Sequence, residues 1–417
     1  MSAHQETAQV TLGRARAITG VLALLSIFPP LATDMYLSAL GDLASALNAS
    51  PEETGLSLSL FFFGLCIGQL IMGPLIDAFG RRTPLLLGTL LFTLTSAALL
   101  MVDNIAIFNG LRLFQALGAC AGMVVSRAVI NDLYDDRRAA KALGVLVMLM
   151  TIGPIISPTL GSLLLEAFGW RSIFVTMLLV GIAALLLSYL IIPETLPRSK
   201  RADAPFRTAG RNARHLVTLP GFMAPAVVAG LVQGGMFAFI TGSSGVFQGV
   251  FGLSSLAYGL VFAAIAMALV LFTQFNNRLL DHFAPQQIMA VGLPFYVVVT
   301  ALTAAASASA SIWLFTAPLW IAIGMVGLLS ANAMAVTMAA AKQGAGIASA
   351  LLGGIQFALA FAVSSCVAMG GSDTPLPMSL GLLLPAVLAW LLWFASRRNS
   401  AVASKAARKQ DEQDHPA

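Results

Sequence analysis

The chain has 417 residues, 58% of them hydrophobic and 10% charged, against the roughly 25% charged residues of an ordinary soluble domain. Such a deficit excludes a water-soluble globular enzyme. The net charge of +5 comes without aromatic residues interleaved among the basic ones, so nucleic acid is not an expected partner.

The apolar residues gather in stretches of about 20, the number that crosses a ~30 Å hydrocarbon layer as a helix. In chain order they predict membrane helices near 17–40, 55–77, 84–102, 105–130, 142–166 and 173–193, then near 222–248, 255–276, 286–307, 312–338, 345–370 and 376–396. The first run is too long for the apolar core of a signal peptide and lacks a small-residue cleavage site, so it is expected to stay as span one. Between the sixth and seventh spans lies ETLPRSKRADAPFRTAGRNARHL (194–216), basic and the longest polar connection. The predicted organisation is a six-helix half over 1–193, a basic linker over 194–221, a second six-helix half over 222–396 and a polar tail over 397–417. The fold class is an all-α membrane protein.

Lysine and arginine are spread very unevenly over the predicted loops. Twenty of the 23 fall in the N-terminal tail, the loops after even-numbered spans and the C-terminal tail, among them Arg81, Arg82, Arg137, Arg138, Lys141, Arg278 and Lys342. The other loops hold Arg171 alone, beside acidic residues such as Glu52, Glu53 and Asp103. Basic loops stay on the cytoplasmic side, so both termini are expected in the cytoplasm, with the chain in a bacterial inner membrane. The remaining two cations, Arg112 and Arg127, lie inside span four. Cys66, Cys120 and Cys366 fall in apolar segments without CxxC spacing, and His4, His215, His282 and His415 occupy tails or polar loops. No metal or other cofactor is expected.

The two halves carry a trace of duplication. GPLIDAFGRRTPLL (73–86) and NRLLDHFAPQQIMA (277–290) align at an offset of 204, which sets Asp77 on Asp281, Phe79 on Phe283 and the turn glycine Gly80 on Ala284. Duplicated six-span units suggest a transporter with its substrate site between the repeats. GPLIDAFGRR also resembles the loop motif of the major facilitator superfamily, LRLFQALGACAG (111–122) its fourth-span motif, and GPIISPTLG (153–161) the fifth-span motif of its proton-coupled antiporters. Within that family TDMYLSAL, RAVINDLYDD, IPETLP and SANAMAV resemble the Bcr/CflA group, the bicyclomycin and chloramphenicol efflux proteins, although Ser38 stands where that group's first-span motif has proline.

Several polar residues stand out against the apolar background. Asp34 and Arg112 lie six and seven residues from the outer ends of their predicted spans, about 10 Å deep at 1.5 Å per residue. An unpaired charge at mid-membrane costs about 2.5–3.5 kcal/mol, so the two are expected to face one cavity and relieve each other. Arginine does not titrate in proteins. Asp34 is then the proton switch, acted on by a nearby cation and by dry surroundings in opposite senses, with Gln115 one turn from Arg112 able to bond either state or the substrate. A purely structural ion pair is the alternative, and Tyr36 is either a site residue or an aromatic-belt anchor. Gly118 and Gly122 let span four approach a neighbour closely. The second half offers no charge inside its spans, only residues such as Gln233, Gln248, Gln274, Asn332 and Gln356 among many Phe and Met, walls that suit amphiphilic substrates.

The resemblance implies two further groups. Gly73, Asp77, Gly80, Arg81, Arg127 and Asp132 would form a cytoplasmic gate latch; the alternative is that Arg81 and Arg82 only signal topology, which Arg82 fits better. Gly153, Pro154, Pro158 and Gly161 would form the antiporter bend of span five, which prolines permit inside a bundle. The expected function is export of drug-like or small amphiphilic compounds in exchange for protons, by a monomer with no cofactor beyond the coupling proton. Export of an endogenous purine, amino acid or peptide by the same mechanism is the alternative. A membrane-embedded enzyme or receptor is a remote one, because no GxSxG, HExxH or nucleotide-binding loop occurs.

Overall fold

The computed structural model describes residues 12–134, 136–201, 205–341 and 345–414. His4, Lys342, His415 and linker residues 202–204 lie outside them. Among the described residues no strand occurs, and twelve helices are long and apolar enough to cross a membrane: Ala15–Ala46, Pro51–Phe79, Arg82–Leu99, Ile105–Leu133, Lys141–Phe168 and Arg171–Ile191, then Gly221–Val250, Ser255–Leu280, Pro285–Ala306, Ile312–Ala340, Gly346–Met369 and Leu376–Arg397. Each predicted span is present, and these are spans one to twelve. One end of the bundle, carrying the start of span one, the basic loops and the linker, is called the basic end.

At the other end four spans begin on a side chain that accepts from the first-turn N–H groups, which no intrahelical carbonyl can satisfy. Ser50 caps span two with Glu53 reaching back to the Ser50 amide, and Asn104, Ser254 and Ser311 cap spans four, eight and ten.

Span one is not one helix. It runs as Leu12–Ser26, Phe28–Asp34, a 3-10 turn at Leu37–Ala39 and Leu40–Ala46. The first joint follows from Pro29 and Pro30, which have no N–H to give to the preceding turn. The second joint has no proline, since Ser38 stands there, and its cause is tertiary, as the site shows. Because the chain resumes as helix at Leu40, span one reaches Ala46 and not the predicted end at residue 40. Gly41 and Asp42 had hidden that last turn.

Two predicted boundaries shift for local reasons. The linker contains a helix, Pro205–Val217, seated through the buried Leu216. The twelfth span continues as one helix to Asp414, because AVASKAARKQDEQ is rich in strong helix formers.

The two halves close on each other away from the basic end. Ser59 of span two is hydrogen-bonded to Ser364 of span eleven at 2.8 Å, and Ser364 to Thr241 of span seven at 2.6 Å. Thr159 and Ser162 of span five donate to the Gly259 and Ser255 carbonyls of span eight at 3.2 and 2.7 Å. Span seven ends in a π-helical turn, Gly245–Val250, whose Gln248 amide donates to the Ser38 carbonyl at 3.3 Å. Toward the basic end the halves part around a cavity of about 460 Å³.

Candidate functional site

Asp34 and Arg112 are the only charged side chains that are fully buried among the described residues. Span four brings Arg112 against span one, and there the guanidinium is held without a carboxylate. It donates to the Ala32 carbonyl at 2.7 Å and to the Gln115 side chain. The Tyr36 and Phe61 rings cover it at 4.4 and 4.5 Å, a cation–π arrangement that substitutes for part of a counter-ion. Gln115 passes its amide on to Ser96 at 2.8 Å, so Gln115, expected to bond Asp34 or a substrate, is engaged by Arg112 and Ser96 instead.

The expected contact between Asp34 and Arg112 is not made: no nitrogen of one lies within 4.0 Å of an oxygen of the other. Helix geometry gives the reason. Ala32 and Tyr36 are four residues apart and share a face, whereas Asp34, two residues from each, points about 200° around the axis. Its carboxylate is turned away from the Arg112 face, on the stretch of span one that packs against span five. Among the described residues its one hydrogen-bonding partner is Thr33, whose hydroxyl lies 2.8 Å from Asp34 Oδ1 and 2.9 Å from the Pro29 carbonyl. A hydroxyl has one proton to give. If Asp34 is protonated it donates to Thr33 while Thr33 donates to Pro29, and every group is satisfied; if it is ionised, Thr33 has to choose.

Tyr36 is fully buried, its hydroxyl 2.7 Å from Ser57. That burial, over Arg112, puts it inside the bundle and not at a lipid interface. Span five seats the joint beside Asp34. A Cβ at Gly161 would stand on the Met35 carbonyl, and one at Gly153 would lie 2.9 Å from the Pro30 ring. The fifth-span motif is therefore a close-approach surface for the broken part of span one, and Pro154 and Pro158 lie within a helix that stays continuous from Asp136 to Phe168. Gly118 and Gly122 serve two neighbours, span three at Gly88 and Phe92 and span one at Leu25.

At the basic end the latch residues divide. Arg81 bonds Asp77 at 2.8 Å and Asp132 at 2.9 Å, and Thr195 of the linker donates to Asp132 at 2.8 Å. Gly80, at φ +87°, turns the chain with no room for a Cβ because the Glu194 carboxylate fills that space. Glu194 accepts from the Arg81 amide at 2.8 Å and pairs with Arg201 at 3.4 Å. Burial pulls the Arg81 guanidinium down, but the hydrogen bonds and charges of Asp132 and Asp77 outweigh it and leave it raised. Burial pushes Glu194 up, and the amides of Leu196, Arg81 and Arg82 with the Arg201 charge outweigh that and hold it below its usual range.

Two latch assignments need correction. Gly73 is inside the span-two helix, six residues before its end, and a Cβ there would meet nothing. Arg127 is not in the cluster: five residues before Asp132, it lies about 140° around span four and opens into the central cavity. The cluster's partners all belong to the first half and linker, so it clamps the linker and does not bridge the halves. Sequence reasoning missed Glu194, Phe61 and Thr33; only Glu194 carried a signal, as the acid of IPETLP. Of the second-half amides, Gln233 and Gln356 line the cavity, Asn332 is buried on Asn276 at 2.6 Å, and Gln274 is exposed.

The chain is 29% identical over 385 residues to a bicyclomycin resistance protein homolog of Haemophilus influenzae, covering 91% of this chain and 96% of that protein. It is 30% identical over 338 residues to a chloramphenicol resistance protein of Pseudomonas aeruginosa, covering 79% and 78%. Its fold is similar to that of a bacterial homolog of the human lysosomal transporter Spinster in an inward-facing, occupied conformation, with a TM-score of 0.71 and 17% identity over 92% of this chain and 96% of that one. Residues 22–365 match the Major Facilitator Superfamily. That match runs from span one into span eleven, through both six-helix halves: the chain is a transporter of the major facilitator superfamily and belongs to its Bcr/CflA group.

Proposed function

We propose that the chain exports drug-like, amphiphilic compounds across the bacterial inner membrane in exchange for protons, acting as a single chain with both termini in the cytoplasm. The basic end is then cytoplasmic, and the cavity is loaded from that side. The observation that carries the reading is Asp34, the one fully buried carboxylate among the described residues, set at a joint of span one with no cation on it. An ionised carboxyl with one hydrogen-bonding partner is costly to bury, and a proton removes that cost through the Thr33 relay. Asp34 lies where span one meets spans five and eight, so a change in its charge acts on the contact between halves. One proton entering down 100 mV releases about 2.3 kcal/mol, enough for roughly 45-fold accumulation of a neutral cargo.

The resistance named for the two relatives supplies the first substrates to try. Cells producing the chain should accumulate less chloramphenicol or bicyclomycin than control cells, and a protonophore should abolish the difference. Asp34→Asn should lose uphill export while still binding the compound. Protonophore-resistant export, or full export by the Asn variant, removes Asp34 from the coupling role.

A further inference from the structure

The cavity between the halves has a lopsided lining. The second half gives it amides, hydroxyls and rings, among them Gln233, Gln356, Phe237 and Phe357, and no charge. The first half gives it one cation, Arg127, with no hydrogen bond or ion pair to any described residue. The nearest acid along span four, Asp132, is already taken by Arg81 and Thr195. On the facing wall Phe237 packs against Phe357 at 5.9 Å, an aromatic surface backed by Phe62 of span two at 4.4 Å from Phe237.

A guanidinium presents a planar fork that matches a carboxylate through two parallel hydrogen bonds. In a cavity walled by protein that pair is screened less than in bulk water. A neutral compound filling the same space would strip water from the cation and return nothing, which disfavours it. We propose that Arg127 anchors the carboxylate of the transported compound while the Phe237–Phe357 wall receives its apolar body, so that the preferred cargo is a carboxylate-bearing amphiphile. This rests on the export reading and narrows it.

The test compares two probes with one body, N-acetylphenylalanine and its neutral amide, titrated at neutral pH into the detergent-solubilised full chain by calorimetry. The acid should bind the unmodified protein at least about tenfold more tightly than the amide, as a charge-assisted bidentate pair requires. Arg127→Gln should bring the two to near equality, and Arg127→Lys should keep part of the preference, since it retains charge without the fork. Equal affinities in the unmodified protein, no binding of either probe, or a preference that survives in Arg127→Gln overturns the proposal. The comparison on the unmodified protein stands even if a variant fails to fold. The titration uses no proton gradient, so the two readings fail separately. Absent acid preference with intact proton-driven export sinks the anion anchor alone; intact preference in a protein that exports nothing under a gradient sinks the export reading alone.

Discussion

Replacing Gly161 by alanine adds one methyl group where span five meets the second joint of span one. The new Cβ would stand on the Met35 carbonyl oxygen, 2.8 Å from its carbon and 3.2 Å from the Met35 Cα, where ordinary contact begins at 3.4 Å. All three neighbours are backbone, so no side chain can swing aside. Overpacking of this kind costs about 1–3 kcal/mol, and the rigid neighbours put Gly161→Ala at the upper end. Met35 also adjoins Asp34, so the strain is felt at the carboxylate. The expected result is a fall of several degrees in the unfolding temperature of the solubilised protein, with export strongly reduced. Gly73→Ala is the control: it adds the same methyl group to a helix where nothing lies within 4 Å, and should be neutral or stabilising by up to about 1 kcal/mol. Unchanged unfolding and unchanged export in Gly161→Ala would show that the close approach is not maintained in the membrane, and the role assigned to the fifth-span motif would go with it.

The linker clamp should respond unequally to its two acids: Asp132, with 23% of its side chain exposed, should matter more than Asp77, with 55%, because exposed pairs contribute only about 0.2–1 kcal/mol. Spin-label distances between the linker and the start of span three should lengthen in Asp132→Asn and hardly move in Asp77→Asn, and the reverse order would refute the geometry. The same distance should depend on pH in a defined sense. Glu194 is held below its usual value of 4.5 when docked, so its contribution is complete above about 4.5 and fades as pH falls through the lower docked value; Glu194→Gln should show the loosened distance at neutral pH, and an identical acid profile in that variant would assign the effect elsewhere. Tyr36→Phe should cost about 1 kcal/mol by removing its hydrogen bond to Ser57, which keeps its own bond to the Thr54 carbonyl, while leaving a ring over Arg112. Tyr36→Leu should cost more in thermal unfolding, and equal losses would remove the cation–π contact from the account.

The twelve spans were legible because a helix in lipid has to be apolar along its whole length, and charged residues inside them stood out for the same reason. What the chain alone did not convey was direction around a helix. Asp34 and Arg112 were matched by depth, but Ala32 and Tyr36 are the residues that face the arginine. The resemblance groups Arg127 with Asp132, whereas five residues of helix turn it to another face, which helix geometry alone conveys. The joint at Leu37–Ala39 was not legible, since Ser38 removes the proline signal and Gly161 and Gln248 act on it from distant parts of the chain. Glu194 needed the left-handed turn at Gly80 before its role had meaning.

The closed end of the molecule is joined by serine and threonine hydroxyls and one glutamine amide, and no ion pair bridges the halves there among the described residues. Neutral hydrogen bonds of this kind contribute about 0.5–1.5 kcal/mol each, because water replaces them when they part. The four that join the halves amount together to a few kcal/mol, the scale of the work that one proton would deliver on entering down a membrane potential. Dissolved salt screens charges and leaves such bonds nearly untouched. In the orientation proposed above, a bacterium moved from dilute to saline surroundings would therefore find the outward seal unchanged, while the ionic clamp at the other end would face the cytosol, where ionic strength is regulated.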